Sequence, residues 1–179
     1  MRRVIQAEVT GCGIASVAAI AGVSYASAKK TANSLGIFAE DQKLWSETAH
    51  MRTLLRHLGF RAKGDERPFQ SWDSLPDLAV LAIKWHMERN MPFWHWVVFT
   101  RDARGACVLD SKKSLRRHRR TDFGRMKPKW YSEVQSRGRS MLHPYTVILS
   151  QCVENLCLPP VREAHPTKTF VYSFEKGSG

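Results

Sequence analysis

The feature that most limits what this chain can fold into is the run Cys12–Val23. Its small and apolar residues (Ile14, Ala15, Val17, Ala18, Ala19, Ile20) leave a helix almost no polar side. A helix apolar all round is buried in the centre of a domain or in a membrane. At about twelve residues the run is short of the roughly 20 needed to cross a bilayer, and no other stretch reaches that length. Met1-Arg2-Arg3 before it and Ala26-Ser27-Ala28 after it imitate a secretory signal with its cleavage site. Gln6, Glu8 and Thr10 put polar groups before the run, and Gly13, Ser16 and Gly22 dilute it. The run therefore predicts a central core helix.

The rest of the first third also reads as helical. Ser24 is placed to cap a second helix through Ala28–Leu35 that closes at Gly36. A third runs from Ser46 to about Leu58, with Met51, Leu54, Leu55 and Leu58 on one face and Gly59 as its stop. After Pro68 the pattern changes. Leu78–Trp85 reads as a buried strand, His86–Phe93 as a loop, and His95–Thr100 as a strand. Asp102–Gly105 reads as a turn and Ala106–Asp110 as the hairpin partner. Tyr145–Ser150 and Thr169–Phe174 are further strand candidates. Helices first and antiparallel strands later predict one α+β domain over 1–179, helical to about 66 and sheet over about 67–175.

Lys and Arg outnumber Asp and Glu by 28 to 16, a net charge of +12. Much of the excess lies in Lys112–Arg139, which holds eleven Lys or Arg residues against Asp122 and Glu133 and reads as a basic insertion. Such a segment is a solvated surface or a contact for an anionic partner. The four cysteines (Cys12, Cys107, Cys152, Cys157) form no CxxC pair, which argues against a zinc site, and no cofactor is implied. Cys152 and Cys157 read as buried reduced thiols, which points to a reducing, cytoplasmic setting; the alternative is a bridge between them in an oxidising compartment, as in a secreted effector or toxin.

Cys12 sits where the apolar helix begins, the position at which the helix dipole and free N–H groups favour a thiolate. Gly11 and Gly13 flank it and would let a substrate backbone come close. The Cys12 N–H and the Gln6 side-chain amide are donors for an oxyanion forming beside the sulfur. His95, at the head of the strand His95-Trp96-Val97-Val98-Phe99, is the candidate base, and His86 its rival. The hairpin returns to Asp110, which can fix the His95 tautomer. Trp94 and Trp96 read as walls of the core or of a substrate groove.

Gln6, Cys12-Gly13-x-Ala15, His95-Trp-Val-Val-Phe and Val108-Leu109-Asp110-Ser111, in that order and spacing, resemble the C39 peptidases. These are papain-like enzymes best known from the leader-removing domains of bacteriocin exporters. The resemblance covers Gln6 to Asp110 and reaches towards Trp130. It implies a papain-like fold, with Cys12 as nucleophile, His95 as base, Asp110 as orienter and Gln6 as oxyanion donor. The implied substrate is a peptide or protein, with a Gly-Gly stretch suiting a narrow cleft. Gly11 departs from that family, which carries an acidic residue there. The expected activity is thiol-based amide cleavage, with deamidase, transglutaminase or toxin outcomes open to the same site. A non-catalytic papain-like binding module and a nucleic-acid binder acting through Lys112–Arg139 are the rival classes.

Overall fold

A computed structural model of the protein describes residues 1–41 and 48–136, which belong to one compact unit. Among them the architecture is α+β: three helices and one antiparallel sheet of six strands. The helices are α1 (Cys12–Ala21), α2 (Tyr25–Ser34) and α3 (Thr48–His57). The strands are β1 (Phe60–Pro68), β2 (Leu78–Glu88), β3 (Met91–Asp102), β4 (Gly105–Leu109), β5 (Arg119–Arg120) and β6 (Pro128–Ser136). Their order across the sheet is β1-β6-β2-β3-β4-β5.

The apolar run behaves as its composition requires. Cys12, Ile14–Ile20 are all buried along α1, and the helix ends at Gly22, whose φ of 72° suits a residue without Cβ. Ser24 caps α2 by accepting the Ser27 N–H at 3.1 Å, although the helix opens at Tyr25 rather than Ala28. α3 buries Met51, Leu54 and Leu55 as its periodicity predicts. No described helix is long and apolar enough to cross a membrane.

The sheet is covered on both faces. One packs Val80, Ala82, Trp96, Val98 and Leu109 against the helices. The other packs Leu81, Val97, Phe99 and Val108 against Leu75, Met126 and, at the edge, Trp72 and Phe123 from the connections between strands. Burial on both faces explains why β2 and β3 carry continuous apolar runs rather than an alternation. Fully burying one such Val or Leu stabilises the fold by about 1.5–3 kcal/mol.

Three expectations are corrected. His86–Phe93 is no loop: β2 runs to Glu88 and β3 starts at Met91, joined by the two-residue turn Arg89-Asn90 with φ of 47° and 63°. The chain is not helical as far as 66, because Phe60–Pro68 forms edge strand β1. Two of its charges are matched by neighbours, Lys63 by Glu133 at 3.5 Å and Glu66 by Arg52 at 2.8 Å. Nor is Lys112–Arg139 an insertion. It supplies β5, and it supplies β6, which pairs with both β1 and β2 inside the sheet. The strands expected at 145–150 and 169–174, and the pair Cys152 and Cys157, lie outside the described residues.

Candidate active site

Gly11 carries no side-chain cap for α1, so the N–H groups of its first turn, which have no intrahelical acceptor, face whatever stands beside Cys12. Tyr25 explains the glycine. A Cβ at residue 11 would lie 1.9 Å from the Tyr25 hydroxyl oxygen. That hydroxyl donates to the Glu8 carboxylate, which also accepts from Lys29 Nζ at 2.6 Å. The expectation that Gly11 opens room for substrate is therefore corrected: the space goes to Tyr25, and Gly11 does not line the cleft. Gly13 does line it, with Trp96 Cδ1 at 3.4 Å from where its Cβ would be.

β4 brings the aspartate to the histidine. Leu109 pairs with Val98, and one further step of that register sets Asp110 beside Val97, diagonal to His95. His95 Nε2 meets Asp110 Oδ1 at 2.7 Å. The Cys12 sulfur is close enough to the same ring to act on its charge, and with Nε2 engaged by Asp110 the nitrogen left for it is Nδ1. The structure thus brings Cys12, His95 and Asp110 into one line. His86 lines the same cleft but bonds neither Cys12 nor Asp110: its ring is exposed, with Nδ1 donating to the Lys84 carbonyl at 2.9 Å.

Burial of the His95 ring opposes its charge, but the Asp110 carboxylate and the Cys12 sulfur outweigh it and lift the imidazolium to about 9. Burial likewise opposes charge on Asp110, yet bonds from His95, the Lys112 N–H and Arg120 bring it down to about 2.

Supports behind the aspartate were invisible in the sequence reading. Arg120 Nη1 donates to Asp110 Oδ2 at 3.0 Å while its Nε and Nη2 hold Asp122. His118 is buried and donates from Nδ1 to the Asp110 carbonyl at 2.9 Å, and the Asp110 N–H returns a bond to the His118 carbonyl at 2.8 Å. Both residues were hidden inside the basic run. A carboxylate expected to hold a histidine needs partners for its second oxygen, and that need was the available signal.

Gln6 is buried and lines the cleft, but both of its amide hydrogens are engaged by the carbonyls of Glu8 and Val9, at 2.9 and 2.7 Å. To serve an oxyanion it would have to release one of them. Its other bonds fix a distance that matters: the Gln6 N–H donates to the Ser111 carbonyl at 3.0 Å, and Ser111 Oγ donates to Gln6 Oε1 at 2.8 Å. Gln6 thereby ties the loop before Cys12 to the residue after Asp110.

The line opens into a cleft of about 870 Å³, with Trp94 and Trp96 among its walls. The two rings meet edge to face at 5.6 Å. Among the described residues no cluster of His, Cys, Asp or Glu could hold a metal ion. The second described cysteine, Cys107, is fully buried, and burial pushes its thiol up. No protein-family model matches this chain, and no curated protein sequence matches it.

Proposed function

We propose that the protein is a papain-like cysteine peptidase that cleaves an amide bond through a thioester on Cys12. The observation that carries this reading is the His95–Asp110 bond with the Cys12 sulfur beside the same ring, at one open cleft. The order of these residues along the chain supports the likeness to the C39 peptidases.

An imidazolium beside a sulfur favours the thiolate by direct attraction. The sulfur attacks the carbonyl carbon, and the oxygen that becomes negative is met by the Cys12 N–H at the start of α1. Nδ1 of His95 gives its proton to the departing amine as the C–N bond breaks, leaving a thioester. Water then attacks the thioester, His95 accepts its proton, and the carboxylic acid leaves as sulfur recovers its electron pair. Asp110 stays ionised throughout and holds the ring in place. A glutamine side chain can enter the same line with ammonia as leaving group.

The test is incubation with a mixture of unmodified peptides followed by mass spectrometry of the products. Wild-type protein yields new peptide termini, and Cys12→Ala yields none while keeping its fold. Equal cleavage by the Cys12→Ala variant contradicts the reading, and products of unbroken chain with an altered side chain assign a deamidase.

A further inference from the structure

The register of β2 against β3 slips beside the histidine. Ile83 pairs with His95 and His86 with Phe93, so Lys84 and Trp85 together face Trp94, which is a β-bulge. Lys84 carries the left-handed φ of 56°. Glycine takes that conformation freely and lysine takes it at a cost. The bulge places Lys84 on the cleft wall, while Trp85 lies outside the cleft under the Lys129 ammonium at 3.1 Å.

Lys84 is not alone on that wall. Arg89 from the hairpin turn and Lys112 and Lys113 from the segment after Asp110 line the same cleft. All four are exposed, and among the described residues none has a carboxylate partner within salt-bridge distance. The carboxylates lining the cleft are Glu8, already held by Lys29 and Tyr25, and Glu88, 4.0 Å from His86. The same cleft also has an apolar lining, which includes Ile37, Phe38, Ala39, Met51 and Leu54. Cys12 and His95 line it as well.

We infer that the cleft selects an acidic polypeptide segment: an aliphatic or aromatic side chain seats against Phe38, the exposed member of the apolar lining, and Asp or Glu nearby in the same segment faces Lys84, Arg89, Lys112 and Lys113. Four cations around one cleft, without a carboxylate partner among the described residues, repel one another, and an acidic partner relieves that repulsion. The bulge sets Lys84 directly after Ile83, the residue paired with His95, which makes it a residue that discriminates by charge beside the histidine. This inference rests on the peptidase reading only for cleavage of the segment; the charge preference rests on the cleft lining alone.

The experiment separates the two. Fluorescein-labelled heptapeptides with a central Leu, flanked either by Glu or by Lys, are titrated into full-length Cys12→Ala protein and read by fluorescence anisotropy. The Glu peptide binds about tenfold more tightly than the Lys peptide at low salt, and the gap narrows as salt rises. Lys84→Gly suits the bulge backbone, so it keeps or raises the melting temperature while reducing the preference about threefold. Lys84→Glu combined with Arg89→Glu inverts the preference. Equal binding of both peptides, no binding of either, or a preference untouched by these substitutions overturns the inference. So does a single-stranded oligonucleotide of equal charge that competes as well as the Glu peptide. Binding of the Glu peptide with no cleavage of it by wild-type protein would uphold the charge preference and count against the peptidase.

Discussion

Within the single run Lys112–Arg120, an outward half and an inward half do opposite things. Lys112, Lys113, Arg116 and Arg117 are exposed, and the first two face the cleft. His118 and Arg120 turn inward, and their nitrogens grip the carbonyl and the second carboxylate oxygen of Asp110. The side chain of Asp110 is wholly buried and that of Arg120 is 13% exposed. Charge density alone therefore says little about a basic run. What matters is which cations have an anion inside the protein, because a buried charge without one is expensive.

Removing the inward half should hurt most. Arg120→Leu leaves Asp110 Oδ2 buried without its partner and should cost roughly 3 kcal/mol in chemical denaturation. Arg120→Lys should recover only part of this, since one ammonium cannot span both Asp110 and Asp122 as the guanidinium does. Arg116→Gln or Arg117→Gln should change stability by no more than about 0.5 kcal/mol. A cost at Arg116 equal to that at Arg120 would erase the contrast between the halves.

The ion pair held by the inward half also sets a pH dependence. His95 keeps its proton to about 9 when folded against 6.5 ordinarily, so unfolding releases a proton between those values. Its contribution is full below 6.5 and is lost as pH rises through 9. Asp110 moves from 3.8 to about 2, so its contribution is full above 3.8 and is lost as pH falls through 2. The melting temperature should be highest between 3.8 and 6.5 as far as this pair is concerned. His95→Gln should flatten the alkaline slope, and an unchanged slope in that variant would remove the pair as its source.

The same contrast explains what could be read from the sequence. α1 was legible because an all-round apolar helix has only one place to go, and α3 because Met51, Leu54 and Leu55 recur at helical spacing. β1 was hidden because it is an edge strand whose charges are answered by Arg52 and Glu133 across space. β6 was hidden by its lysine and glutamate. Trp130 and Val134 face the helices while Tyr131 faces the other layer, a true alternation that the surrounding basic run obscured. For the site, Cys12, His95 and Asp110 were each visible from residue type and position. Arg120 and His118 were not, since a residue that supports through space leaves no local pattern. Gln6 was found, but its bonds to Glu8, Val9 and Ser111 depend on a fold that brings 6 and 111 together.

The central claim is that His95, held by Asp110, activates Cys12. The most direct measurement is the rate at which iodoacetamide labels Cys12 in folded protein, compared with His95→Ala and with Cys107 in the same sample. Cys12 should react far faster than Cys107, which is fully buried, and His95→Ala should remove most of that advantage. Labelling of Cys12 at an equal rate with and without His95 would contradict it.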